Sequence, residues 1–289
     1  MTVPEGCYDE PWIPALDGII QSILSDARRP VSGLGFFSKP VRLSGANEHL
    51  VAKIYRPVKE SRFVQLCQLH NDYVAALQDS PLLLPSTRLQ PVISGSSWRP
   101  VILQKAFEPE EMLRDVMQSA ESGRAVDLME AVLLETLDFL EWRRKAGIDR
   151  LGLHPTLRNF ALREEKLHYF DTFPPMIGLS AKELQSLILD FAPYSLNQVL
   201  KPLALPFMGQ VTDEYYQEPP MLSGIVGSCC RLRPELAEDF LERARGVTAG
   251  RLSKADDQDL HARLSKAPKL SPLWVSIRGM LGKEGKPNI

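Results

Sequence analysis

The stretch that most constrains this chain is Leu151–Pro175, which reads LGLHPTLRNFALREEKLHYFDTFPP. Its pattern predicts a short loop carrying His154 and Asn159, followed by two short strands that are joined at the charged Arg163–Lys166 turn. Asp171 comes directly after the apolar pair Tyr169-Phe170. Asparagine and aspartate offer hard oxygen ligands, and Mg²⁺ bound to phosphates usually takes only one or two carboxylates from the protein. The stretch therefore predicts a site that holds a metal ion on a nucleotide phosphate.

The same residues resemble the catalytic segment of protein kinases, in which H-R-D-x-x-x-x-N is followed by D-F-G. Asn159 is similar to the metal-binding asparagine of that family. Asp171, which begins an Asp-Thr-Phe tripeptide, is similar to the aspartate of D-F-G. His154 stands five residues before Asn159, at the position of the family's catalytic aspartate. The resemblance implies that Asn159 and Asp171 hold Mg²⁺ and that the cofactor is ATP.

The group that would accept a proton from a substrate hydroxyl has several candidates. His154 is one, because imidazole titrates near neutrality. Asp149 is a second, although it lies well before Asn159 and would need an unusual loop path. A third interpretation makes His154 a structural residue before Pro155, in a protein that binds nucleotide without transferring phosphate. The sequence leaves these alternatives open.

A second motif lies near the N-terminal end of the chain, at Val51-Ala52-Lys53-Ile54. It resembles the V-A-I-K of the third kinase strand, which implies that Lys53 contacts nucleotide phosphates. A lysine in an alternating strand is otherwise typical of a solvated face. Glu60–Leu77 has mostly apolar residues at a helical period, with His70 on the same face, and follows in the place of the kinase αC helix. Asp72 on this helix is the candidate partner of Lys53, and a plain exposed aspartate is the competing interpretation.

Two further groups complete the predicted cofactor site. Gly33 and Gly35 let backbone N–H groups approach a phosphate, because glycine has no Cβ, and an ordinary turn is the alternative. Arg99–Phe107 reads as the last strand of a sheet. The kinase resemblance implies that its end, Gln104–Phe107, is the hinge where backbone groups bind adenine.

The order of elements predicts an α+β protein. Strand-like segments end near residue 107, and helical periodicity begins after Glu108. The prediction is a bilobal kinase-like fold with a β-rich lobe over residues 1–107 and a larger helical lobe over residues 108–289. The resemblance is closest to small-molecule phosphotransferases of the aminoglycoside- and choline-kinase type. Helices are predicted over Pro14–Asp26, Glu110–Ser119, Ala125–Ala146 with Gly147 as C-cap, Ala181–Phe191, Leu196–Leu200, Pro234–Val247 and Ser253–Ser265.

Composition narrows the functional classes. The 289 residues include 34 Lys and Arg against 36 Asp and Glu, a balance that does not favour nucleic acid as a partner. No apolar run is long enough for a membrane span, and the N-terminal residues do not resemble a signal peptide. The four cysteines have no metal-binding spacing, which favours reduced thiols in a cytoplasmic protein. Oligomeric state cannot be read from the sequence.

These patterns and the resemblance predict an ATP-dependent phosphotransferase that acts on a small-molecule hydroxyl, with the nucleotide bound between lobes. The alternative is a pseudokinase that binds nucleotide or a protein partner without phosphoryl transfer. A third possibility is an α+β domain in which the two motifs are coincidental. The three differ in whether nucleotide binds and whether ADP is released.

Overall fold

The computed structural model describes residues 38–94, 96–191, 209 and 212–269. The strands are β1 Lys39–Arg42, β2 Leu50–Ile54, β3 Thr87–Ser94, β4 Ser97–Lys105, β5 Phe160–Arg163 and β6 Lys166–Tyr169. The helices are α1 Glu60–Gln78, α2 Leu113–Ser119, α3 Ser122–Ala146, α4 Ala181–Phe191, α5 Glu218–Leu232, α6 Ala237–Thr248 and α7 Lys254–Arg263. The predicted Gly33, Gly35, Pro14–Asp26 and Leu196–Leu200 lie outside the described residues.

The first four strands form one antiparallel sheet in the order β1-β2-β4-β3. The long strands β3 and β4 pair as a hairpin from Thr87 opposite Gln104 to Ser94 opposite Ser97. The same strand β4 pairs on its other side with β2, where Lys53 lies opposite Ile102. Strand β4 is thus central, and its backbone is bonded on both sides.

The two faces of this sheet are both buried. Helix α1 covers the face that carries Ile102 and Lys53, and its Phe63 packs on Trp98 with ring centroids 5.5 Å apart. The opposite face buries Leu50, Ala52, Val92, Val101 and Leu103 as a separate cluster. Because side chains alternate along a strand, Lys53 and Ala52 point to opposite faces. Lys53 therefore faces the rest of the chain.

The helical part is built around α3, whose inward face includes Met129, Val132, Leu133, Leu137 and Leu140. It packs against α5 and α6. Helix α3 ends at Gly147, which has a left-handed backbone with φ of 67° and whose N–H caps the last turn. This confirms the predicted C-cap. None of the described helices is both long and apolar enough to cross a membrane.

The β5–β6 hairpin connects the sheet to the helical part. Its two-residue turn places Glu164 and Glu165 at φ of 51° and 59°, the conformation of a tight hairpin turn. The N–H of Tyr169 donates to the carbonyl of Leu83, between α1 and β3, at 2.8 Å. The hairpin predicted at Arg163–Lys166 is confirmed, and it carries the residues of the candidate site.

The structure confirms a mixed α+β class and most of the predicted elements. Helix α5 has no counterpart among the predictions. It is buried along nearly its whole length and contains Pro219, Pro220, Gly224 and Gly227. Prolines and glycines disfavour a helix in isolation, so the local sequence does not predict one here. Cys229 and Cys230 lie within this helix as buried free thiols.

An ion pair fixes the hairpin to the segment after β4. Arg163 donates to both carboxylate oxygens of Glu111, at 2.5 and 2.7 Å. This bidentate bond lowers the pKa of Glu111 to about 2. Replacing Glu111 with glutamine is expected to lower the free energy of unfolding at pH 7 by about 1–2 kcal/mol, because a charge-assisted pair becomes a neutral one. Urea denaturation measures this loss.

The pH dependence follows from the lowered pKa. The carboxylate of Glu111 stabilises the fold above pH 4.5, and this contribution disappears as the pH falls toward 2. The difference between wild type and Glu111→Gln should therefore shrink over that range. Glu165→Gln is the matched control, because Glu165 pairs with Arg124 on the exposed surface and should contribute less than about 0.5 kcal/mol. Equal losses in both variants would contradict the assignment.

Candidate functional site

Asn159 is placed by the chain on both sides of it. It ends the short 3-10 helix Leu157–Asn159, and its carbonyl accepts from the N–H of Phe170 at 3.0 Å. The buried side-chain Nδ2 donates to the carbonyl of His154 at 2.8 Å and to Oδ2 of Asp171 at 3.1 Å. The residues predicted to hold a metal are thus brought together. Among the described residues the amide bonds only through Nδ2, so Oδ1 is the atom left to bind a cation.

His154 lies next to this pair. Its Nδ1 is 3.3 Å from Nδ2 of Asn159 and 3.8 Å from Oδ2 of Asp171. The two amide hydrogens of Asn159 are used by its shorter bonds, so the contact with Nδ1 does not set the tautomer. The carboxylate of Asp171 favours a proton on Nδ1, which leaves Nε2 as the proton acceptor. The ring packs edge-on against Tyr215 at 4.8 Å, and both His154 and Asp171 remain partly exposed.

Lys53 reaches the site from strand β2. Its Nζ donates to the carbonyl of Phe170 at 2.8 Å, and Nε2 of Gln104 donates to the same oxygen at 3.0 Å. Burial lowers the pKa of Lys53, and the negative charge of Asp171 acts in the opposite direction. Lys53 is therefore a desolvated cation beside a carboxylate, rather than a lysine on a solvated face.

The predicted pair between Lys53 and Asp72 is not formed. Asp72 lies on the exposed face of α1, where its carboxylate accepts from Nε2 of Gln68 at 2.8 Å. The residue of α1 that faces the site is His70, whose Nε2 lies 3.1 Å from the hydroxyl of Thr172. Asp72 is two positions from His70, about 200° around a helix, which turns it away from Lys53. His70 belonged to the predicted buried stripe, and only its neighbours identify it as a site residue.

His70 is 1% exposed, and its Nδ1 has no hydrogen-bond partner among the described residues. Burial, together with the charge of Lys53, lowers its pKa to about 3. Between pH 6.5 and 3 the unfolded chain binds a proton there that the folded chain does not, so stability falls as the pH falls. Protonation of His70 in the unfolded chain is expected to lower the free energy of unfolding by about 2 kcal/mol from pH 7 to pH 5.

Urea denaturation of wild type and His70→Leu at both pH values tests this expectation. The leucine variant should lose much less stability on acidification, because it has no imidazole to protonate. His261→Leu, at an exposed position of α7, is the control and should keep the wild-type dependence. If the stability of His70→Leu fell with pH as much as that of wild type, another group would be the cause of the lower stability in acid.

The other predicted site residues lie elsewhere. Asp149 is exposed in the turn after α3, where its charge acts on Arg143, so it is not placed as the base. Gln104 lies inside β4, paired with Val51 and Thr87, rather than in a segment that leaves the sheet. Its side chain bonds Thr87 Oγ1 at 2.8 Å and the Phe170 carbonyl described above. The side-chain amide of Gln104 therefore holds the Phe170 carbonyl in place. The predicted role was different, because it had the backbone groups of Gln104 bind adenine.

The helical residues 212–216 contribute to the site without any motif in the sequence. The carbonyl of Tyr215 accepts from the N–H of Leu153 at 2.9 Å, which brings this segment beside His154. Burial raises the pKa of Glu214, and the charges of His154 and Arg231 lower it. A second carboxylate thus lies in the electrostatic environment of His154.

The donor set fits a metal ion that is bound mainly by a ligand's phosphates. Among the described residues, no group of three or more histidine, cysteine, aspartate and glutamate side chains could hold a metal. Asp171 and Asn159 supply one carboxylate and one amide oxygen. That number suits Mg²⁺, which keeps several waters and takes the rest of its ligands from phosphate oxygens.

Fold and site define an α+β protein with a polar cluster beside a partly buried lysine. The chain belongs to DUF6206, a family of unknown function, which matches residues 15–285. A comparison with curated proteins finds no match. Among solved structures, a MAP kinase, LmaMPK10 from Leishmania major, is 11% identical with a TM-score of 0.36, covering 92% of this chain and 98% of that chain.

Proposed function

We propose that this protein is a kinase-like phosphotransferase that binds ATP with Mg²⁺ at the site of Lys53, Asn159 and Asp171. The observation that carries the proposal is the convergence of Lys53, from strand β2, with Asn159 and Asp171, which flank the β5–β6 hairpin. Asn159 Nδ2 and Asp171 Oδ2 are 3.1 Å apart, and Asp171 acts electrostatically on Lys53. One desolvated cation beside two hard oxygen ligands is the arrangement that a metal-bound phosphate requires.

Each residue has a separate role in the proposal. Asn159 Oδ1 and the free carboxylate oxygen of Asp171 hold Mg²⁺, and Lys53 binds a phosphate oxygen once it leaves the Phe170 carbonyl. ATP supplies the phosphoryl group. The bond between Gln104 and the Phe170 carbonyl keeps that oxygen paired when Lys53 turns away. Lys53 can therefore move from the Phe170 carbonyl to a phosphate without leaving that buried acceptor unpaired.

His154 is the proposed proton acceptor for a small-molecule hydroxyl. Its Nδ1 faces Asp171, and its ring is held between Asn159 and Tyr215. A histidine oriented by a carboxylate accepts a proton through its other nitrogen. The proposed arrangement places nucleotide between a β-rich lobe and a helical lobe, in a cytoplasmic protein.

Isothermal titration calorimetry with ATP tests the binding step. Wild type should bind ATP in the presence of Mg²⁺ and lose most of that affinity in EDTA. The second measurement follows ADP formation on a panel of small alcohols and sugars. His154→Gln should keep the ATP affinity and lose ADP formation by about a hundredfold or more, because a positioned general base contributes about 10²–10⁴-fold. A folded wild type that does not bind ATP would overturn the proposal.

A pseudokinase is the second candidate, and one observation favours it. A histidine occupies the position where the resembling family has its catalytic aspartate, and the other aspartate considered for that role, Asp149, lies on the exposed surface. This candidate predicts Mg²⁺-dependent ATP binding without ADP formation on any acceptor. It also predicts that His154→Gln behaves as wild type in both measurements.

A further inference from the structure

Three backbone groups of the segment that follows β4 make hydrogen bonds within the chain. The N–H of Lys105 donates to the carbonyl of Ser86 at 3.0 Å, and that of Ala106 donates to the carbonyl of His49 at 2.8 Å. The carbonyl of Ala106 accepts from Nη2 of Arg163 at 3.1 Å. A nucleotide base is read through donor and acceptor pairs along its edge, and these groups are not free to make them.

The aromatic rings beside this segment, Phe107 and Phe170, also make contacts with cations. The guanidinium of Arg163 lies over the ring of Phe107, 4.6 Å from its centroid. Phe107 packs against Phe170 at 5.8 Å and His168 at 5.5 Å, and Nζ of Lys53 lies 5.2 Å from the centroid of Phe170. A base that stacked on Phe107 would displace the cation–π contact with Arg163.

Arg163, which lies over the ring of Phe107, is held in place by hydrogen bonds. Its guanidinium bonds Glu111 through two nitrogens and Ala106 through one. Moving Arg163 away from Phe107 would break the ion pair that joins the hairpin to the segment after β4. By contrast, Asn159 Oδ1, the partly exposed carboxylate of Asp171 and the ammonium of Lys53 are positioned for a phosphate chain and its metal ion.

We propose that the site recognises the metal-bound phosphate chain of its ligand and does not discriminate among bases. This inference rests on the proposed function and specifies its ligand class, which is nucleoside triphosphates of any base and inorganic tripolyphosphate. Binding sites that hydrogen-bond a group reject ligands without it by several orders of magnitude, whereas sites without such bonds discriminate weakly. The affinities of these ligands should therefore be similar.

Calorimetric titration of ATP, GTP, CTP and tripolyphosphate into wild type with excess Mg²⁺ tests the inference. All four dissociation constants should lie within about tenfold of one another, and adenosine should neither bind nor displace tripolyphosphate. ATP binding more than tenfold tighter than tripolyphosphate, or binding of adenosine alone, would overturn the inference while leaving the proposed function in place. If none of the four ligands binds, the proposed function and the inference both fail.

Phe107→Leu provides an independent check of the base position. Leucine keeps an apolar side chain beside Phe170 and removes the ring on which a base would stack. The ratio of ATP to tripolyphosphate affinity should remain unchanged in this variant. A selective loss of ATP affinity would show that a base uses Phe107 and would overturn the inference. Asp171→Asn should weaken the binding of all four ligands by the same factor, because they are proposed to bind at one site.

Discussion

Replacing Asp171 with asparagine is expected to weaken Mg²⁺-dependent ATP binding by about a hundredfold or more. The substitution keeps the shape of the side chain and removes its charge. An amide oxygen lacks the negative charge of a carboxylate and binds Mg²⁺ more weakly, and even outer partners of a metal site affect affinity by about 10–100-fold. The loss should disappear in EDTA, where wild type and variant are expected to bind ATP equally weakly.

Asp72→Asn is the matched control for this prediction. It makes the same chemical change on the exposed face of α1, where the carboxylate only accepts from Gln68. Its ATP affinity should equal that of wild type. Asp171→Asn should remain folded, with a loss of stability near 1 kcal/mol because the bond from Asn159 and the charge beside Lys53 are weakened. An Asp171→Asn protein that is folded and binds ATP normally would remove Asp171 from the metal site.

Replacing Lys53 with methionine is expected to reduce ATP affinity by about 30–100-fold, which corresponds to the loss of one charge-assisted hydrogen bond to phosphate. The fold should tolerate the change. Methionine has a similar length, and burial already disfavours the charged form of Lys53, as its lowered pKa indicates. The Phe170 carbonyl keeps the amide of Gln104 as a donor, so no buried acceptor is left unpaired.

Lys105→Met serves as the control, because Lys105 is exposed at the end of the neighbouring strand β4. It should bind ATP as wild type does and unfold at the same urea concentration. The comparison separates a local role of Lys53 from a general effect of positive charge on the binding of an anion. Equal affinities of Lys53→Met and Lys105→Met would show that Lys53 does not contact the phosphates.

Local patterns in the sequence predicted much of this structure. The apolar period of Ala125–Ala146 and the glycine after it predicted helix α3 and its end, because a helical period and a residue with positive φ are properties of the chain itself. The turn at Arg163–Lys166 likewise predicted the hairpin. Once the hairpin forms, Asn159 before it and Asp171 after it must lie close together, so their proximity is also determined locally.

Contacts between distant segments were decided by the tertiary structure alone. The period of α1 placed His70 on its buried face, but the way that helix lies on the sheet determines that His70, and not Asp72, faces Lys53. The carbonyl of Ala106, after β4, is occupied because Arg163, from a hairpin more than fifty residues later, donates to it. Helix α5 forms despite two prolines and two glycines, because nearly its whole length is buried among other elements. Sequence period specifies which face of an element is apolar, whereas the partner of each polar group depends on how the elements pack.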